Sequence, residues 1–346
     1  MSKGAKETVT ISLDAMGGDN APVNEVAGAI ETVKSNSGIN ITLVGKAGLI
    51  ENELKKFSYD NSRINIHNAE DVIEMHESPA DAMRRKPDSS LVQGLKLCRS
   101  GAADGFLSAG NTGAVMAASL FTLGRIANVS RPTIGSRFPT ERGITIVFDV
   151  GANVDCKPIN LLQFAVMGSV FANHIYGIDN PTVGLLSVGE EKSKGDTLTV
   201  ESHELLEKSG LNFIGNVEGR DIMKGNTHVI ICDGFAGNIV LKFAESVLGL
   251  LRTKFKDYAD RGFINKMKVG MAYGTLKEIL KDFDYQEYGG VPLLGVNGVS
   301  IIGHGRSSPR AIMNMALRAE QMVRAGINDI IAEKIKDINQ FVTKTE

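Results

Sequence analysis

A chain of 346 residues, 42% hydrophobic and 23% charged, carries enough apolar material for a large folded core, which excludes a disordered segment. A formal net charge of −2 excludes the overall basic surface on which nucleic-acid binding rests, so no nucleic acid is expected as a partner. Cys98, Cys156 and Cys232 lie far apart and the first ten residues are polar, which excludes a disulfide framework and a secretory signal and leads to the expectation of a soluble cytoplasmic protein.

An apolar run at residues 9–13 reads as a first strand, and Val23, Val26, Ala27, Ile30 and Val33 follow at helical spacing. Further strands are predicted at 39–44, 63–67, 105–108, 144–149, 183–188, 213–217, 229–232 and 300–303, with helical segments between most of them. The longest apolar run, 114–123, is too short to span a bilayer. From 238 to about 284 the pattern stays helical, broken near Gly262, and reads as two or three helices projecting from the sheet. Residues 309–340 read as one or two long helices. Strand–helix alternation predicts a three-layer α/β/α fold with a mostly parallel sheet. The expected organisation is a single α/β catalytic domain over 1–346, with a polar N-terminal extension at 1–8 and a helical excursion at 251–286.

The loops that follow the strands share one chemistry. Six of them, beginning near Asp14, Ser108, Asp149, Gly189, Cys232 and Gly303, are rich in Gly, Asn, Asp and Ser just before a helix. In a parallel sheet such ends share one edge, where ligands bind. Helix N-termini there present N–H groups to an anion. The alternative for each loop taken singly is a turn plus a helix cap. There is no P-loop and no G-x-S-x-G elbow, and GHGRSS at 303–308 only approaches a dinucleotide motif. The histidines and cysteines show no metal-type spacing, so neither metal nor cofactor is expected.

At these loops the chain resembles the bacterial phosphate acyltransferases of phospholipid synthesis. The matching stretches are LDAMGGDNAP (13–22), SAGNTGA (108–114), DVGANVD (149–155), MGSV (167–170), VGLLSVG (183–189), NFIGNV (212–217), DGFAGN (233–238) and YGG (288–290). The resemblance implies a fold like isopropylmalate dehydrogenase and phosphotransacetylase, and a homodimer loosely attached to the membrane. It implies acyl carrier protein as donor, inorganic phosphate as acceptor, and a membrane glycerol-phosphate acyltransferase downstream. It also points to a lysine within 190–196 and to the asparagine of DGFAGN, which fall on Lys194 and Asn238. Residues 1–8 lie outside the family pattern and 251–286 match it loosely.

Attack of a phosphate oxygen on a thioester needs no enzyme nucleophile, which suits a chain with no evident Ser-His-Asp or Cys-His set. Lys194 is the expected phosphate cation, against the alternative of a solvated lysine like Lys192. Asn238 is expected at a helix start, as cap or oxyanion donor. The amides of Gly17, Gly18, Gly110 and Gly113, with Asp14, Asn111, Thr112, Asn153 and Asp233, complete the expected substrate site, and His304 is a candidate proton donor to the leaving thiolate. Arg84, Arg85 and Lys86 read as a solvated face or a contact for the acidic carrier. Basic residues from Lys254 to Lys268, interleaved with Phe255, Tyr258, Phe263, Ile264, Met267 and Met271, fit either a membrane surface or a dimer interface. The rival readings are a short-chain acyl-CoA phosphotransacylase, a nicotinamide-dependent decarboxylating dehydrogenase and a non-enzymatic carrier-binding scaffold.

Overall fold

The computed structural model describes residues 7–345 except 280 and 284, so the first six residues of the expected extension lie outside the described residues. The apolar runs form strands β1 (Val9–Asp14), β2 (Ile39–Gly45), β3 (Ile64–Asn68), β4 (Gly105–Ser108), β5 (Thr133–Thr140), β6 (Gly143–Phe148), β7 (Val183–Leu186), β8 (Phe213–Val217), β9 (Val229–Ile231), β10 (Val291–Leu294) and β11 (Val299–Ile302). They make one sheet in the order β3-β2-β1-β4-β11-β10-β5-β6-β9-β7-β8.

Pairing is parallel everywhere except at β11–β10, β10–β5 and β5–β6. β5 and β10 are the two strands the sequence pattern does not announce. β5 carries Pro139 and half-exposed Arg137, and β10 is four residues long with a proline inside. Three successive reversals have a large consequence. The half β3-β2-β1-β4-β11 and the half β6-β9-β7-β8 run in opposite directions. The expectation that six strand ends share one edge is therefore wrong: three lie on one rim and three on another. Ile301 pairs with Pro292, and Gly135 with Phe148, so the ends of β11 and β6 reach a similar level near the middle of the sheet from opposite directions.

Helices cover both faces. On one lie α1 (Val23–Ser35), α2 (Ala47–Leu54), α6 (Pro158–Tyr176), α10 (Pro309–Ala325) and α11 (Ile327–Thr345), packed on Val9, Ile11, Leu13, Phe148 and Ile231. α7 (Thr197–Glu207) joins them through Leu206. On the other lie α3 (Pro79–Arg85), α4 (Ser90–Ser100), α5 (Thr112–Leu123) and the start of α8 (Gly234–Ala259), over Phe106, Ile134, Val147 and Ile230. Strand residues alternate between the two faces, and burying each large apolar side chain contributes about 1.5–3 kcal/mol.

α8 runs on into solvent and returns as α9 (Phe263–Ile279). No described side chain from Asn238 to Leu276 is buried. α8 also corrects the bilayer reading of the sequence: it is long and apolar enough to cross a membrane by length and composition.

Candidate active site

The first rim is closed on itself. Asp14 ends β1 almost fully buried; its carboxylate accepts from the Met16 amide at 3.1 Å and the Ser108 hydroxyl at 2.7 Å. Burial raises its pKa, against hydrogen bonds from Ser90, Ser108 and Met16 that lower it. Ser108 also accepts from the Gly110 amide at 3.1 Å. A side chain on Gly17 would meet Asp14 and Ser108 within 3 Å, so glycine is what lets the loops after β1 and β4 touch. The Gly18 amide is directed at Glu25, a buried carboxyl on α1 that burial pushes up to about 7, with repulsion from Asp14 and Asp19 adding to the shift. The second oxygen of Glu25 has no hydrogen-bond partner among the described residues.

The expected phosphate amides are thus partly spent: that of Gly110 is bound to Ser108, and that of Gly18 faces Glu25. Asn111 is spent as well. It caps α5 by accepting from Ala114 at 3.1 Å, while its amide donates to the carbonyls of Met75 at 2.9 Å and Glu77 at 3.1 Å. Thr112 and Gly113 form the exposed first turn of α5. His304, after β11, accepts from the Arg306 amide at 3.1 Å through Nδ1. It stands on this rim, not on the one that carries Lys194 and Asn238.

The second rim gathers the ends of β6, β9 and β7, three neighbours in the sheet. Asp149 follows β6, and its carboxylate accepts from the amides of Gly151 at 3.0 Å and Ala152 at 2.8 Å and from the Asn153 side chain. Burial pushes its carboxyl up to about 6 against these donors. Asn153, 6% exposed, also donates to the Pro132 carbonyl at 2.8 Å, and its own carbonyl accepts from the Gly234 amide at 2.7 Å. Asn153 is therefore a pin between loops. Asp233 is the N-cap of α8, accepting from Ala236 at 2.8 Å. Gly237 in the first turns of α8 sits against the Asp149 carbonyl, where any Cβ would collide.

This corrects the reading of Asn238 as a cap. The helix begins at Gly234 and is capped by Asp233, so Asn238 lies in its second turn. Its exposed amide packs beside Gly151 and makes no hydrogen bond among the described residues. Lys194 lies in the loop after β7, which pairs directly with β9. The structure separates it from Lys192: Lys192 is bound to Glu207, whereas Lys194 makes no ion pair among the described residues. Asp149 and Glu25 were not singled out by the sequence reading. Asp149 stands in a quoted motif, and Glu25 is an acid beside the apolar stripe of α1; either pattern was a usable signal.

A family model described as fatty acid synthesis protein matches residues 9–330. The phosphate acyltransferase of Chlorobaculum parvum is 46% identical over 334 residues, covering 94% of this chain and 98% of that one. The chain belongs to this family. The phosphate acyltransferase of Pelotomaculum thermopropionicum is 47% identical over 328 residues, covering 95% of each chain. Among solved structures, a phosphotransacetylase from Streptococcus pyogenes superposes with a TM-score of 0.63 at 17% identity, covering 92% of this chain and 94% of that one. EutD phosphotransacetylase from Staphylococcus aureus gives 0.59 at 17% identity, covering 91% and 94%. These two likenesses establish the fold.

Proposed function

We propose that this phosphate acyltransferase family member transfers a fatty acyl group from acyl-acyl carrier protein to inorganic phosphate, giving acyl phosphate for phospholipid synthesis. What supports the site assignment is the state of two side chains, those of Lys194 and Asn238. Both side chains are exposed, neither has a polar partner among the described residues, and they follow the adjacent strands β7 and β9. Neighbouring strands lie about 4.8 Å apart, which sets the two loops side by side on one rim.

In this reading the Lys194 ammonium holds the phosphate. At about 4 Å and intermediate effective dielectric, one charge pair supplies about 4 kcal/mol before desolvation, which matches millimolar binding. The N-terminus of α8 adds its partial positive charge. A phosphate oxygen attacks the thioester carbonyl, the Asn238 amide donates to the developing oxyanion, the C–S bond breaks and the thiolate takes up a proton. The test is acyl-phosphate formation from acyl-carrier thioester and labelled phosphate. Full turnover in both Lys194→Ala and Asn238→Ala removes the site assignment. Faster turnover with short acyl-CoA than with acyl-carrier thioester transfers the donor to coenzyme A.

The same reading makes the protein a homodimer that binds the membrane surface peripherally through α8 and α9. Phe263 is 78% exposed and Met271 75%, on helices that also carry Lys254, Lys266 and Lys268. Between them α8 and α9 hold a groove of about 380 Å³, lined by Leu251, Phe255, Tyr258, Val269, Ala272 and Leu276 together with Lys254 and Lys268. Apolar residues beside basic ones suit an anionic lipid interface. Unchanged vesicle binding by Phe263→Asp with Ile264→Asp, in a protein that is still dimeric, rejects the membrane contact.

A further inference from the structure

We propose that His203, Asn216 and Ser187 are positioning residues that clamp the backbone around Lys194. The inference rests on the reading of Lys194 as the phosphate cation and goes beyond it by naming what holds that lysine in place.

The loop at 187–196 is exposed over most of its length, and an exposed loop is ordinarily mobile. Here it is tied from beneath. The Lys194 amide donates to the Glu191 carbonyl at 3.0 Å, and the Lys194 carbonyl accepts from the Ser187 hydroxyl at 3.1 Å. The Glu191 carbonyl accepts a second hydrogen bond, from the side-chain amide of Asn216 on β8 at 2.9 Å. Asn216 is 6% exposed. Its oxygen lies 2.9 Å from Nδ1 of His203 on α7, which is 4% exposed and packed edge-on against Phe213.

Donor and acceptor roles along this chain follow from one fact. A peptide carbonyl only accepts, so the NH₂ of Asn216 must face Glu191. Its oxygen then faces His203, and Nδ1 of His203 must carry a proton. Each buried polar group in the chain is therefore satisfied in one arrangement only. Rotating the Asn216 amide would leave two acceptors, or two donors, in contact. The Asp196 cap on α7, accepting from the Thr199 amide at 2.8 Å, fixes the far end of the loop. The result is a lysine whose stem is free to reach outward while its peptide unit is held on both sides. Such placement matters because a misplacement of about 1 Å costs on the order of 10²-fold in rate.

The test uses the full-length protein, with kcat and the KM for phosphate measured in acyl-phosphate formation and thermal midpoints recorded alongside. His203→Leu removes the donor. It is expected to raise the KM for phosphate about tenfold or more. His203→Asn, whose side-chain NH₂ can stand in for Nδ1–H, is expected to restore the KM to within about threefold. Ser187→Ala, at a half-exposed position the fold tolerates, is expected to raise the same KM about threefold. An unchanged KM in Ser187→Ala overturns the clamp, even if the buried variants do not fold. So does a His203→Asn variant as impaired as His203→Leu. Lys194→Ala is run beside them. If it is fully active, the reading of Lys194 fails; if it is inactive while the clamp variants behave normally, only the present inference fails.

Discussion

The two rims of the sheet start from the same kind of sequence and end differently. Around β1, β4 and β11 polar groups are bound to one another, Asp14 with Ser108, Ser108 with Gly110 and Asn111 with the 75–77 backbone, while one buried oxygen of Glu25 has no partner among the described residues. Around β6, β9 and β7 the pins are equally dense, yet the exposed side chains of Lys194 and Asn238 make no hydrogen bond or ion pair among the described residues. Glycine and asparagine at a strand end therefore mark a tight polar turn. On the proposed reading, what marks a site is the polar group that the turn does not consume. Buried polar groups are almost always paired, so the unpaired exposed ones at the edge of such a network are those with chemistry to spare.

The sharpest way to break this contrast is to remove the spare groups. Lys194→Ala and Asn238→Ala are each expected to lower the rate of acyl-phosphate formation by on the order of 10²–10³, with the thermal midpoint unmoved. Equal loss of activity and of thermal stability in either variant would make that side chain structural and erase the difference between the rims.

The buried acid of the first rim gives the next largest effect. The Glu25 carboxyl has a value of 4.5 when unperturbed and about 7 in the fold. The folded state thus holds the proton more tightly than the unfolded chain. Its contribution is fully present below about pH 4.5, is lost as pH rises through 7, and is then constant. The shift corresponds to about 3 kcal/mol at most. Glu25→Gln is expected to flatten the decline of unfolding free energy between pH 4.5 and 7. The readout is the slope, because the new amide has a buried NH₂ to satisfy. A slope identical to that of the parent chain would show that Glu25 ionises normally in the fold.

These contrasts also measure what the sequence could reveal. Parallel strands buried on both faces announce themselves as apolar runs, and those at 9–13, 39–44 and 229–232 were legible for that reason. β5 and β10 were not. Arg137 and Pro139 interrupt one and Pro292 sits inside the other, so neither reads as a continuous strand. Those two strands set the relative direction of the halves. Missing them assigned all six strand ends to one edge, whereas those after β1, β4 and β11 and those after β6, β9 and β7 belong to halves that run in opposite directions. Lys194 and Asn238 were found through resemblance. Their lack of partners is a property of tertiary packing that no local pattern encodes. Asn238 shows the limit well. Both Asp233 and Asn238 are good capping types, and only the start of the helix at Gly234 decides between them.

A smaller effect separates holding from catalysing on the first rim. Asn111→Ala removes the cap of α5 and both donors to the 75–77 backbone. It is expected to cost about 1–2 kcal/mol of stability, read by denaturant unfolding, while the folded fraction keeps its turnover. A loss of turnover as large as that of Asn238→Ala, at unchanged stability, would put Asn111 on the substrate and join the rims functionally.

The least effect is expected where the contrast is narrowest, between two lysines two residues apart. Lys192 and Lys194 have the same charge and the same exposed loop. Lys192 is already paired with Glu207 on α7, and that contact draws the Glu207 carboxyl below its ordinary range, chiefly through the hydrogen bond from Lys192. The pair lies in water, where such contacts contribute little to stability. Lys192→Ala is therefore expected to leave the KM for phosphate, kcat and the thermal midpoint unchanged within scatter. The comparison is strict because long-range electrostatics treats the two positions almost alike. If charge in the neighbourhood were enough to hold phosphate, removing either lysine would weaken binding, and raised salt would weaken it in proportion. If contact is required, only Lys194 matters, because its ammonium is uncommitted and its backbone is tethered. A KM for phosphate that rises equally in both variants would mean that the loop acts as a diffuse positive surface and that no single lysine is the anion's ligand.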